Sequence, residues 1–251
     1  MISEDTGIHI DLKRPRVICD QKIDSEGTQL GGDNPMPNYS ATILFIGKPR
    51  SGKSSLAFSM IATKNKCYHR LFSKIFIVIP PTSLSSLSIK QIKRHKRIYP
   101  ELNIETLEKI DTETDELNEE QGKAGHSLII FDDVGSSIKS DHRLEERLKE
   151  FSWNFRHRSR TQWYLLQTYR SLSLGIRKVA THLIIFKLSQ LELELIQNEL
   201  VLWVSKRQWI DICRHVYDAK YGKHSAMYID LENQKIYRLT DNHFYLLKIQ
   251  E

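Results

Sequence analysis

The stretch GKPRSGKSS, residues 47–55, runs glycine, four residues, then Gly-Lys-Ser, and directly follows the apolar run TILFI. That spacing suits a loop that cradles the phosphates of a nucleoside triphosphate. Such a loop needs backbone N–H groups converging on the β-phosphate, close approach without Cβ clashes, and a cation. Gly47 and Gly52 supply the backbone freedom, and Lys48, Pro49, Arg50 and Ser51 fill the loop between them. Lys53 reaches the β- and γ-phosphates, the Ser54 hydroxyl is placed for Mg²⁺, and Ser55 completes the set. A helix opening at Gly52-Lys53 adds its amino-terminal dipole to the site.

A phosphate loop works with a second strand that brings a carboxylate to the magnesium's water shell. LIIFDD supplies one: four apolar residues, then Asp132 and Asp133. Asp132 is expected on the Mg²⁺ side, and Asp133, past the strand tip, is expected to orient or deprotonate the attacking water. KIFIVIP lies between the phosphate loop and these acids, so the acidic strand is not the next one in sequence. A further strand, TQWYLLQT, is the candidate to separate the two in space, and its end would set Gln167 beside the γ-phosphate. The cofactors implied are ATP and Mg²⁺.

The elements that must hold these residues are legible as blocks. Continuous apolar runs at ATILFIG, KIFIVIPP (74–81), SLIIFDDVG (127–135), TQWYLLQT (161–168) and THLIIFKL (181–188) read as strands buried on both faces. KSSLAFSMIATK spaces Leu56, Met60 and Ile61 like the buried face of a helix, and residues 141–158 repeat Leu144, Leu148, Phe151 and Phe155 at helical spacing. SQLELELIQNEL and SKRQWIDICRHVYDA read as two further helices. AMYIDLENQKIYRL reads as a β-hairpin over 226–239, turning at Glu232-Asn233-Gln234. Residues 1–38, dense in Gly, Pro and Asn toward their end, read as an amino-terminal arm before a P-loop ATPase domain over 39–251. Within that domain, 82–126 reads as an insert, basic then acidic, and as a solvated surface excursion. Strand, loop and helix in alternation predict an α/β fold with a central, mostly parallel sheet flanked by helices.

Composition sets the outer limits. The chain has 251 residues, 40% hydrophobic and 27% charged, with a net charge of +6. That is ordinary for one sizeable globular domain. No apolar run approaches the ~20 residues of a membrane span, so no membrane partner is expected. The first residues lack the apolar core of a signal peptide, so secretion is not expected. Three scattered cysteines without a CxxC pair point away from a zinc ribbon and a disulfide framework. The positive balance weakly favours a polyanionic partner, with basic clusters at KQIKRHKR (90–97) and RHRSR (156–160).

GKPRSGKSS, LIIFDDVG, NFRHRSRTQWYLLQT and GIRKVATHLIIFKL, in this order over roughly residues 40–240, resemble the poxvirus-type genome-packaging ATPases of large DNA viruses and virophages, within the FtsK–HerA group of DNA pumps. The resemblance implies a RecA-like P-loop fold and ATP hydrolysis that drives double-stranded DNA into a preformed capsid or procapsid. It also implies a homo-oligomeric ring, and a place in the host cytoplasm at a viral factory or in the virion. In such rings an arginine reaches the neighbouring subunit's γ-phosphate. Arg156 matches the family's Arg-His pair, Arg177 is second, and Arg158, Arg160 or Arg143 could substitute. Loop residues of KQIKRHKR would touch DNA phosphates. Pro49 and Arg50 stand where small residues are common. Two other readings stay open on the residues alone: a P-loop kinase, and a nucleotide-gated adaptor for DNA or capsid that does not hydrolyse.

Overall fold

The fold is described from a computed structural model, over residues 2–4, 35–37, 39–63, 68–122, 125–240 and 243–249. Most of the stretch read as an amino-terminal arm lies outside the described residues.

Ten strands form one sheet: β1 (Ile2–Glu4), β2 (Thr42–Ile46), β3 (Lys74–Val78), β4 (Ile98–Tyr99), β5 (Ser127–Asp132), β6 (Arg160–Leu166), β7 (His182–Phe186), β8 (Ala226–Asp230), β9 (Lys235–Thr240) and β10 (His243–Ile249). Their order across the sheet is β1-β10-β9-β8-β7-β2-β6-β5-β3-β4. From β7 to β4 neighbouring strands are parallel. From β7 outward to β1 they are antiparallel. β2, β5, β6 and β7 are buried at every position. Their unbroken apolar runs follow from that, because helices cover both faces of a parallel sheet.

The two faces separate by alternation along each strand. Ile43 and Phe45 of β2 pack with Phe58 and Met60 of α1 (Lys53–Ala62) and with Ile92 of α3 (Lys90–Lys93). Leu44 and Ile46 face the other way. There they share a core with α4 (Ile104–Gln121), α5 (Gly135–Ser140), α6 (His142–Trp153), α7 (Leu174–Arg177), α8 (Gln190–Leu200) and α9 (Lys206–Val216). A short α2 (Pro81–Ser86) follows β3, with Pro81 at the first helical position, where its missing N–H costs nothing.

Helix starts follow capping chemistry. Asp141 accepts from the Arg143 and Leu144 amides, Asn103 from Thr106, and Ser205 with Gln208 forms a capping box at α9. The helix expected over 141–158 stops at Trp153, and residues 154–159 form turns with Ser159 at φ 48°.

Three expectations are corrected. The segment 82–126 is not a solvated excursion: Leu107, Ile110, Thr114 and Leu117 of α4 are buried, and β4 extends the sheet. Leu56 is only partly buried, and Phe58 and Ala57 take its place in the buried face of α1. The hairpin over 226–239 turns at residues 231–234 as expected, but a third strand, β10, continues it. No described helix is long and apolar enough to cross a membrane.

Candidate nucleotide site

β2 ends at Ile46, and Gly47 donates its amide to Leu166 O at the end of β6 (3.0 Å), which anchors the loop to the sheet. A Cβ on Gly47 would lie 2.5 Å from Ser51 Oγ and 2.9 Å from Phe186 Cβ, so only glycine fits. Arg50 (φ 64°) and Gly52 (φ 103°) both take left-handed backbone. A residue with a Cβ at position 50 therefore adopts the conformation that small residues ordinarily supply. Ser51 N donates to Lys48 O (3.1 Å), closing the turn, while Lys48, Pro49 and Arg50 are exposed at its rim. No side chain caps α1, whose first amides remain for an anion.

β6 lies between β2 and β5, as the sequence suggested, so the ends of three adjacent parallel strands carry the site. Ser54 Oγ donates to Asp132 Oδ1 (3.3 Å). Burial pushes the Asp132 carboxyl up to about 6, while the Ser54 hydrogen bond and the Lys53 charge pull it down. Burial likewise lowers Lys53, and the charges of Asp132 and Asp133 oppose that shift. A buried carboxylate beside a hydroxyl is a pair of hard oxygens suited to Mg²⁺, which takes one or two carboxylates with substrate phosphates, while the Lys53 ammonium is left for the phosphates. Among the described residues no group of three or more His, Cys, Asp or Glu is arranged to hold a metal.

Asp133 follows β5 at φ 58°, a left-handed conformation that Asp tolerates better than most residues. Its Oδ1 accepts from Gln167 Nε2 (2.8 Å), joining the tips of β5 and β6. Among the described residues no hydrogen bond occupies Asp133 Oδ2 or Gln167 Oε1, so two acceptors are left to hold the hydrogens of one water. The structure thus gathers Lys53, Ser54, Asp132, Asp133 and Gln167 at one end of the sheet.

Arg156 is elsewhere. It lies in the turns before β6, at the opposite end of the sheet, where its Nη2 pairs with Glu232 Oε1 (2.5 Å) in the β8–β9 turn. Arg177 is held within its own chain. Its guanidinium is fixed to Glu199 (Nε–Oε2 3.0 Å, Nη2–Oε1 2.9 Å) and donates to Leu172 O (2.7 Å). Arg158 pairs with Asp115, and Arg160 is buried beside Asp111 (2.5 Å). The acidic segment therefore neutralises much of RHRSR, which is not a free basic patch.

Sequence reasoning missed Phe186, which packs beside Gly47, and His224, whose Nδ1 donates to Ser51 O (3.0 Å). Nothing local signals His224; it stands 173 positions from Ser51. A cavity of about 390 Å³ adjoins the loop at these two residues. A larger one, about 600 Å³, lies between α8 and α9 around Trp209 and Cys213 and contains none of the site residues.

A Gly-bounded loop between a buried strand and an uncapped helix, with a carboxylate strand two places away across the sheet, defines a P-loop nucleotide-binding protein of α/β fold. The chain belongs to the Poxvirus A32 protein family, whose model matches residues 36–234. Among solved structures it is similar to B204, the DNA-packaging ATPase from Sulfolobus turreted icosahedral virus, at 18% identity. That match has a TM-score of 0.58 and covers 80% of this chain and 97% of the other. The genome packaging NTPase B204 from Sulfolobus turreted icosahedral virus 2, in complex with ATP-gammaS, matches at 16% identity and TM-score 0.53, covering 79% of this chain and 96% of that one. These likenesses show the fold. No curated protein sequence matches the chain.

Proposed function

We propose that this protein is an ATPase that packages a viral genome, using ATP hydrolysis to drive double-stranded DNA into a preformed capsid. The observation that carries this reading is the hydrogen-bonded group at the ends of β2, β6 and β5, in a chain of the Poxvirus A32 family. The similar B204 proteins, described as packaging enzymes, support it.

In this reading Lys53 and the loop amides hold the β- and γ-phosphates, and Ser54 and Asp132 hold the Mg²⁺. When bound, Mg²⁺ would supply charge neutralisation to the phosphates. Asp133 and Gln167 fix the attacking water in line, which lowers the barrier mainly by positioning. Arg156 acts on the site of a neighbouring subunit in a homo-oligomeric ring, and leaves Glu232 to do so. The ring works at a viral factory in the host cytoplasm.

The test is ATP hydrolysis with and without long double-stranded DNA, at low salt and high protein concentration, with Lys53→Ala as control. Stimulation by DNA that vanishes in the variant supports the motor, and hydrolysis indifferent to DNA overturns it. Phosphate transferred to an acceptor would instead identify a kinase, and tight ATP binding without turnover an adaptor. If Arg156 acts in trans, mixing Arg156→Ala with Lys53→Ala subunits restores activity at mixed interfaces; if it does not, no mixture exceeds its parents.

A further inference from the structure

Gln167 is held from both sides along its own backbone. Leu166 O, one residue before it, accepts the Gly47 amide (3.0 Å) and fixes the strand end to the phosphate loop. Two residues after it, the Tyr169 amide donates to Glu192 Oε1 (3.1 Å), a carboxylate from the first turn of α8. Between these anchors the chain has Gln167 and Thr168 to place. The anchors therefore decide which way the Gln167 side chain leaves β6, and with it whether Nε2 reaches Asp133 Oδ1.

Glu192 has a local duty as well. Its amide donates to Ser189 Oγ (3.4 Å) and its Oε2 accepts from that hydroxyl (3.2 Å), which closes the first turn of α8. That exchange leaves Oε1 over, and Oε1 reaches a residue 23 positions away. Farther along α8 a second bond holds the same segment: Tyr169 Oη donates to Glu199 Oε2 (2.8 Å). Glu199 also takes the Arg177 guanidinium, which lies 4.6 Å from the centre of the Tyr169 ring. Burial pushes the Tyr169 phenol above its ordinary pKa, so it stays a donor. On its other flank the 3-10 turn Tyr169–Ser171 meets the start of α5, where a Cβ on Gly135 would lie 2.8 Å from Ser171 Cβ. The turn is thus wedged between α8 and the helix that follows Asp133, and it carries Gln167 at its head.

We propose that Glu192 is a positioning residue for hydrolysis: its hydrogen bond to the Tyr169 amide aims Gln167 at Asp133 and the attacking water. The proposal rests on the ATPase reading above and deepens it.

The experiment measures ATP hydrolysis, Mg²⁺-ATP binding by calorimetry and thermal unfolding, at high protein concentration with long double-stranded DNA. The proteins are the wild type, Glu192→Ala, Glu192→Asp, Glu192→Gln, Gln167→Ala and the double variant Glu192→Ala with Gln167→Ala. We expect Glu192→Ala to lower kcat about tenfold with nucleotide affinity unchanged. Glu192→Asp keeps an acid in the first turn of α8 but is one methylene too short for Tyr169, so it should match Glu192→Ala and carries the test if that variant unfolds. Glu192→Gln, whose amide oxygen still accepts from Tyr169, should stay within about threefold of the wild type. With Gln167 already removed, the further loss of Glu192 should change kcat less than about twofold. A merely structural Glu192 would lower the rate by the same factor in both backgrounds, and that result overturns the proposal. So does a wild-type rate in Glu192→Asp or in Gln167→Ala, or a Glu192→Gln as slow as Glu192→Asp. If the wild type does not hydrolyse ATP, the ATPase reading falls and the positioning role with it.

Discussion

Removing Asp111 should unfold this protein at a much lower temperature, although Asp111 lies in the acidic stretch whose sequence suggests a solvated surface. Arg160 opens β6 with no exposed side-chain surface, its guanidinium 4.4 Å from the centre of the Phe151 ring. Its charge is met by Asp111 Oδ1 at 2.5 Å, and Nη2 donates to Thr114 Oγ1 (2.6 Å). Burial lowers the Arg160 pKa and Asp111 opposes the shift. Stripping one partner from a buried ion pair costs roughly 3–5 kcal/mol, because the other charge is left in a medium that cannot solvate it. Asp115, 3.7 Å away but 45% exposed, offsets part of this, which points to the lower end, about 3 kcal/mol. For a domain of this size that is a fall in Tm of roughly 6–12 °C. Thermal unfolding of Asp111→Ala followed by circular dichroism reads it directly. The pair Asp111→Ala with Arg160→Met removes both charges and should recover at least half of the loss. A shift under about 2 °C in the single variant, well below the change that 3 kcal/mol implies, would refute the reasoning. So would a double variant no more stable than the single.

Gly47→Ala should weaken Mg²⁺-ATP binding at least about tenfold by calorimetry, since its Cβ meets Ser51 Oγ and Phe186 Cβ inside contact distance. Gln167→Ala should lower kcat by about 10²-fold with little change in nucleotide affinity, if Gln167 meets the water as proposed rather than the phosphates. His182 is buried beside Asp230, and burial holds its imidazole well below its ordinary pKa. The folded state therefore binds fewer protons there than the unfolded chain, so this contribution is complete above about pH 6.5 and is lost as pH falls from there. His182→Phe should flatten the fall in denaturant stability between about pH 6.5 and 5, and an unchanged slope would refute it.

Much of the site was legible because its signals are local. A strand, a glycine-bounded turn and a helix in immediate succession specify the loop, and four apolar residues running into Asp132-Asp133 specify the carboxylate strand. The place of β6 between them followed from the need to bring the two together, and it put Gln167 within reach of Asp133. What failed depends on distant partners. The charges of α4 look solvated until β6, the turn before it and α6 supply Arg160, Arg158 and Arg147 for Asp111 and Asp115. Arg177 looks available until Glu199 grips it. His224 and Phe186 reach the loop through strand pairings that no local pattern encodes.

The central position of β2 also dictates when the site can exist. Its partners are β6 and β7, and Thr42 bonds Thr181 across 139 positions. A chain emerging from the ribosome carries the phosphate loop early, yet neither flank of that loop has a strand beside it until residues 160–166 and then 182–186 are made. Helix α1 has no sheet face on which to dock before then. Closing loops of this length slows folding, and unpaired apolar strands are exposed in the meantime. Nucleotide competence therefore comes late in synthesis: chains arrested before residue 160 should bind no ATP, and chains released past β9 should bind it.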